Sequence, residues 1–191
     1  MFSTFTFRDI DFFLLDDRWY RNAEDAPDTP AKGMFGEAQL AWLRDALLRS
    51  HAPFKIIANG NQMLNDLTGQ EAWKHFGDER SRFLEWLDET GIPGIVFISG
   101  DVHYSALFRV EREQGYPLYE LSCSPLTAGP RRTDYSIGNT RLVPGTNVRE
   151  RNYCQLDFSG PADARSLTIT VMDADGIPKW SREIASSDLR N

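Results

Sequence analysis

Residues Ile95-Val96-Phe97-Ile98-Ser99-Gly100-Asp101-Val102-His103 decide the fold. Four consecutive large apolar residues, three of them β-branched, suit a strand buried on both faces, as in a parallel sheet. The run then breaks directly into a polar turn. Two earlier stretches end in the same way. Lys55-Ile56-Ile57-Ala58 leads into Asn59-Gly60-Asn61-Gln62, and Ile10 with Phe12-Phe13-Leu14-Leu15 leads into Asp16-Asp17-Arg18. Helical patterns lie between them. Leu40, Leu43 and Leu47, widened by Trp42 and Ala46, form one stripe of a helix beginning at about Gly36. Phe83, Leu84, Trp86 and Leu87 form the apolar side of a second helix, which starts near Asp78 and ends at Gly91. Strand, helix, strand, helix, strand is an α/β pattern. A parallel arrangement of these strands brings their three polar ends onto one rim, the place where open α/β sheets bind ligands.

The flanks read differently. At the start, Thr4, Thr6 and Arg8 alternate with Phe5 and Phe7, which predicts a strand with one apolar and one polar face. Asn22 to Gly33, with two prolines, reads as an exposed loop. Past Tyr104, short strands at Leu107–Val110 and Leu118–Leu121 flank a turn at Gly115, and a long loop runs from Ser122 to Asn152. Alternating strands follow around Leu156 and Phe158, then Leu167, Ile169 and Val171. After the Asp175-Gly176 turn comes a last strand around Trp180 and Ile184. This C-terminal third is expected to be an antiparallel sheet edge added to the α/β part.

A chain of 191 residues allows one domain at about 150 residues per domain. Its net charge of −7 argues against a nucleic-acid scaffold or a general anionic-membrane binder. With 12% aromatic residues it has the material for a filled core rather than a disordered chain. No apolar run approaches the roughly 20 residues of a membrane span. The first residues lack a basic segment and carry interrupting charges, so they do not read as a signal peptide. Cys123 and Cys154 suffice for one disulfide but for no disulfide framework, and a CxxC zinc pattern is absent.

Three clusters could carry chemistry. Asp101 and His103, on alternate residues of a turn, could face one metal pair, with Gly100 allowing close backbone approach. They could equally be a carboxylate–histidine pair that caps the turn. Asn59, Asn61 and Gln62 could offer amide oxygens to a metal or NH₂ groups to a phosphate, or form an Asx-rich turn. Arg18 or Arg21 could pair bidentately with a phosphate, or fix the loop through an Asp–Arg pair. The loop from Arg131 to Arg151 adds Arg131, Arg132, Arg141, Arg149 and Arg151 against Asp134 and Glu150. That excess of positive charge could steer an anionic substrate, or simply be solvated. His51 and His75 carry no catalytic expectation.

Several strings resemble the PhoD-like alkaline phosphatases. Asp11-Phe12-Phe13-Leu14-Leu15-Asp16-Asp17-Arg18-Trp19-Tyr20-Arg21 is similar to that family's LDxRxYR segment. Met34-Phe35-Gly36-Glu37-Ala38-Gln39-Leu40-Ala41-Trp42-Leu43 is similar to its LGxxQxxWL helix start. Phe97-Ile98-Ser99-Gly100-Asp101-Val102-His103 resembles FLSGDVH, and Glu120-Leu121-Ser122-Cys123-Ser124-Pro125-Leu126 resembles ExxSSPL. The four occur in the family's order and cover nearly the whole chain.

The resemblance implies a calcineurin-like metallophosphoesterase, a four-layer αββα sandwich with a two-metal site at its strand ends, acting on phosphate mono- or diesters. It implies iron and calcium, or in related families manganese or zinc. Asp101 and His103, with Asn61 or Gln62, match metal ligands, and Asp17, Arg18 and Tyr20 match the loop near the phosphate. Arg131 and Arg132 are the expected substrate-charge residues. Full-length relatives are often exported to the periplasm or cell surface.

The family's earlier motifs, a first Asp or Cys ligand, a GDxxD segment and an Asn, have no counterpart in residues 1–191. The expectation is therefore a single partial domain over 1–191, equivalent to the C-terminal half of the sandwich, with a mixed sheet and antiparallel C-terminal strands. Little metal-dependent turnover is expected from the chain alone, since a two-metal site needs a bridging and several terminal ligands. The first sheet of the sandwich would be largely missing and an apolar face left open. The chain should then pair with a partner supplying the N-terminal half, or self-associate. The alternative is a catalytically inactive remnant or interaction module that keeps the fold.

Overall fold

The computed structural model describes residues 1–67, 71–133 and 137–191. Strands β1 (Ser3–Phe7) and β2 (Ile10–Leu14) form a hairpin, followed by helix α1 (Glu37–Arg49) and β3 (Phe54–Ala58). Then come α2 (Gly77–Thr90), β4 (Ile95–Ser99), β5 (Ala106–Val110), β6 (Leu118–Ser122), β7 (Asn152–Ser159), β8 (Ser166–Asp173) and β9 (Pro178–Ala185). The first six strands make one mixed sheet in the order β1-β2-β3-β4-β6-β5. β2, β3, β4 and β6 run parallel, and β1 and β5 are antiparallel edges.

Register sorts the side chains of this sheet into two faces. Phe13, Ile57 and Phe97 line up on one face. Phe12, Ile56 and Val96 line up on the other. Both helices are crossovers between neighbouring parallel strands. Such crossovers are right-handed, so α1 and α2 cover the same face. The Arg44 guanidinium of α1 lies 5.7 Å from the Trp86 ring of α2, which joins the two helices. Neither helix has a side-chain cap on its own first turn. Instead the buried Glu79 of α2 reaches across and accepts from the backbone N–H groups of Met34, Phe35 and Gly36, at the start of α1. It also accepts from Trp73 Nε1 at 2.9 Å.

The C-terminal strands are not an edge of this sheet. They form a separate antiparallel sheet, β7-β8-β9. Alternation explains the difference. Leu167, Ile169 and Val171 on β8, with Trp180 and Ile184 on β9, give that sheet one largely apolar face. A sheet with one largely apolar face must stack on something. It stacks on the face that carries Phe12 and Phe54, where Phe158 packs edge-on against both rings, 6.5 and 5.5 Å away. One core cluster therefore runs through both sheets and the helices. The disulfide Cys123–Cys154 ties the end of β6 to β7, with Cα atoms 6.1 Å apart.

β1 departs from the expected half-buried strand. All five of its residues are exposed. It is the outer strand of the large sheet, and Phe5, 49% exposed, stacks on Phe12 at 4.8 Å with no layer above it. The apolar face expected to lie open is thus covered by β7–β9 over the middle of the sheet and uncovered at the β1 edge. No helix among the described residues is long and apolar enough to cross a membrane.

Candidate functional site

The three polar strand ends meet. Hydrogen bonding continues past the strands into the turns. Leu15 N–H donates to Ala58 O (2.9 Å), Asn59 N–H to Ile98 O (2.9 Å), Gly100 N–H to Gly60 O (3.0 Å) and Cys123 N–H to Ser99 O (2.8 Å). The turns after β2, β3, β4 and β6 are therefore stitched edge to edge along one rim.

Asp17 and Asn61 form the centre of the rim. Asp17 is 7% exposed, and its Oδ2 accepts from both Asn61 N (2.9 Å) and Asn61 Nδ2 (2.7 Å). That approach requires Gly60, because a Cβ there would lie 2.8 Å from Asp17 Oδ2. The close-approach role expected of Gly100 thus belongs to Gly60. A Cβ at Gly100 would meet only an ordinary contact of 3.6 Å. With Nδ2 committed to Asp17, Asn61 Oδ1 is buried and has no hydrogen-bond partner, and Asn59 Oδ1 is in the same condition.

The Ser99–His103 turn holds two non-glycine residues in the left-handed region, Asp101 at φ 65° and His103 at φ 60°. Such conformations cost energy and cluster at functional sites. Val102 between them is fully buried and pins the turn, while Asp101 is exposed. The His103 backbone N–H donates to Ser124 Oγ (3.0 Å), and its ring Nδ1 lies 2.7 Å from Gly129 O. A carbonyl only accepts, so Nδ1 carries a proton, and in the neutral ring Nε2 is the acceptor. Arg131 N–H donates to His103 O at 2.8 Å, which brings the arginine loop onto the site.

Arg18 crosses the rim. Its Nη1 donates to Glu71 Oε2 (2.6 Å) and its Nε lies 3.7 Å from Asp17 Oδ1. The hydrogen bond to Glu71, more than the nearby charges of Glu71, Asp17 and Asp101, raises the Arg18 pKa against the opposing effect of burial. Hydrogen bonds from Arg21 and then Arg18 hold the Glu71 carboxyl below the usual carboxylate range.

The family model described as PhoD-like phosphatase matches residues 1–172. The chain belongs to the PhoD-like phosphatase family. A solved structure titled "Structure of PhoD" is similar at a TM-score of 0.71 and 17% identity. The match covers 96% of this chain and 40% of that one, so the chain spans well under half the length of the relative it resembles. A search of the curated proteins found no match.

Not every residue matched to the PhoD-like motifs has the geometry first expected of it. Gln62 does not offer a ligand atom. Its Nε2 donates to Ser122 Oγ (2.8 Å) and Tyr104 Oη (3.3 Å), and its Oε1 accepts from Asn65 Nδ2 (2.9 Å), all inside the core. Asp17 acts on Asn61 rather than offering a free carboxylate. Tyr20 packs its ring toward Phe2, 6.3 Å away, and its Cβ against Gly36. Arg132 is exposed, and its carbonyl accepts from Arg149 Nη1 at 3.2 Å. Arg141 turns inward to Leu64 O and Asp66. Asp134, counted in the charge of that loop, lies outside the described residues.

Three groups on the rim carry donor atoms of kinds that metals take. Asn61 Oδ1 is an orphaned buried acceptor, His103 Nε2 is the acceptor of the neutral ring, and Asp101 supplies a carboxylate. Among the described residues, no group of three or more His, Cys, Asp or Glu is placed to hold a metal ion.

Two acidic residues of which no role was expected matter to the rim. Glu120 is fully buried on β6 and accepts from Met63 N (2.7 Å), Leu64 N (2.6 Å), Asn65 N (3.2 Å) and Ser99 Oγ (2.6 Å). It holds the loop that carries Asn61. Burial pushes its carboxyl up, and the four donors oppose that shift. Glu71 is the other, through the two arginines.

Proposed function

We propose that this chain contributes part of the active site of a metal-dependent phosphoric ester hydrolase, located at the Asp17, Asn61, Asp101 and His103 rim. One observation carries the reading. Asp17 fixes the Asn61 amide so that its Oδ1 is buried and unpartnered. A buried polar atom left unpaired costs about 1–3 kcal/mol, a cost that a bound cation offsets.

In this reading Asn61 Oδ1, His103 Nε2 and the Asp101 carboxylate are the groups that would hold metal. Metal held there would supply, as in calcineurin-like enzymes, an activated water and polarisation of the phosphoryl oxygens. Iron with calcium, manganese and zinc are the candidates. Arg18 binds and orients the phosphoryl group through its fork of N–H donors. Asp17 positions Asn61. Arg131 and Arg132, on the loop bonded to His103, attract the anionic substrate, a phosphate mono- or diester. Tyr20 keeps the loop after β2 against α1. The remaining ligands come from polypeptide beyond these residues, either in the same protein or in a partner chain. The shortage of His, Cys, Asp and Glu ligands among the described residues favours a second reading, a catalytically silent module that keeps the fold.

Calorimetric titration of the 191-residue chain with Mn²⁺ separates the two. The hydrolase reading expects binding that weakens about tenfold or more in Asn61→Ala and in His103→Ala, with little turnover of p-nitrophenyl phosphate. Metal affinity unchanged in both variants rules out this rim as the metal site. No binding by the unaltered chain supports the silent module. Tight binding of two ions with robust hydrolysis shows that these residues need no further ligands.

A further inference from the structure

Glu71 accepts from two arginines through a single oxygen. Its Oε2 lies 2.6 Å from Arg18 Nη1 and 2.7 Å from Arg21 Nη1. The two guanidinium groups are not equivalent. The Arg21 side chain is 9% exposed and is fixed twice more, by Nη2 donating to Glu24 Oε2 at 2.9 Å and by the Phe76 ring 5.5 Å from its guanidinium. The Arg18 side chain is 59% exposed, and its other acidic neighbours are Asp17, with Arg18 Nε 3.7 Å from Oδ1, and the charge of Asp101. Arg21 is a rigid post and Arg18 a movable arm, and Glu71 closes the gap between them.

One anionic oxygen bridging two guanidinium N–H groups is how arginine pairs hold a phosphoryl oxygen. Resting on the hydrolase reading of the rim, we propose that Arg18 and Arg21 form a fork for a tetrahedral oxyanion and that Glu71 is its built-in, displaceable occupant. The carboxylate sits where a phosphoryl oxygen binds, and it must leave for the anion to enter. Glu71 is suited to leaving. Its side chain is 43% exposed, so water takes over its hydrogen bonds when it swings out. The arrangement lowers affinity for weak anions and keeps Arg18 ordered at the rim in their absence. Glu71 is a competitor that sets anion affinity, and it touches no reacting atom.

The sign of one measurement decides this. Inorganic phosphate is titrated calorimetrically into the full chain in the presence of EDTA, so that the metal donors contribute nothing. Glu71→Gln and Glu71→Ala are both expected to bind phosphate about fivefold more tightly than the unaltered chain, the factor set by losing one partly exposed ion-pair network. The double variant Arg18→Ala/Glu71→Gln is expected to lose the gain. Unchanged or weaker binding in both single variants overturns the proposal, because Glu71 would then only hold Arg18 in place. A gain that persists without Arg18 overturns it as well, and so does an absence of phosphate binding in every variant. Each of these outcomes is distinguishable from failure of the hydrolase reading, which rests on metal affinity at Asn61 and His103.

Discussion

The Asp17 carboxylate receives both N–H donors of Asn61, the backbone at 2.9 Å and the side-chain amide at 2.7 Å, across 44 residues of sequence. This contact joins the turn after β2 to the turn after β3 and sets which atom of the amide is left over. A site residue on one strand end is thus aimed by a carboxylate on the next.

Asp17→Ala removes a buried charged acceptor from two donors at about 1.5–3 kcal/mol each. A loss of about 3–6 kcal/mol in denaturant-unfolding stability is expected. Mn²⁺ affinity should fall with it, since the Asn61 amide is then free to rotate. Stability lost with metal affinity intact would show that Asp17 does not aim Asn61.

Glu120→Gln is expected to be among the most damaging single changes. An amide in its place points an NH₂ group at backbone N–H donors of residues 63–65 or at Ser99 Oγ. Two or more buried donors lose their acceptor, at about 1–3 kcal/mol each. Thermal unfolding should move down by several degrees, and amide exchange at Met63, Leu64 and Asn65 should accelerate. Retained protection at those three amides would contradict the role given to Glu120.

Lys55 makes stability depend on pH in the alkaline range. Its side chain is buried at the far end of β3, where Nζ donates to Ala52 O (2.8 Å) and Pro93 O (3.0 Å). Burial lowers its pKa from 10.5 to about 8, with Asp11 opposing. Between those values the unfolded chain holds the proton and the folded chain does not, so stability rises with pH across the window. The stability of the unaltered chain minus that of Lys55→Met should therefore rise from pH 8 to pH 10. A flat difference over that range would mean that Lys55 titrates normally.

Reduction of the disulfide, or Cys154→Ala, should cost about 3–4 kcal/mol. The cross-link closes a segment with a sequence separation of 31 residues, and its absence restores that freedom to the unfolded chain. Urea unfolding with and without reductant measures the loss. Equal midpoints would mean that the covering sheet is held by its apolar face alone.

Much of the arrangement was legible from short-range pattern. An apolar run followed by a polar break marks a buried parallel strand and its end, and three such ends in an α/β order must share a rim. The positions of Asp17, Asn61, Asp101 and His103 follow from that alone, because strand burial and helix periodicity are properties of neighbouring residues. Pattern could not say whether β7–β9 extends the large sheet or stacks on it, since alternation is identical in both cases. Nor could it show that β1 lies uncovered, since that depends on how far the second sheet reaches. Glu71 and Glu79 look like ordinary acids in the chain, and Glu120, though it heads the ExxSSPL-like string, shows no sign there of what it binds. Each finds its partners elsewhere, Glu120 across 55 to 57 residues and Glu71 across 50 and 53. Only the tertiary fold decides which buried N–H groups and guanidinium ions meet a carboxylate, because a charge leaves water only where its partners are already gathered.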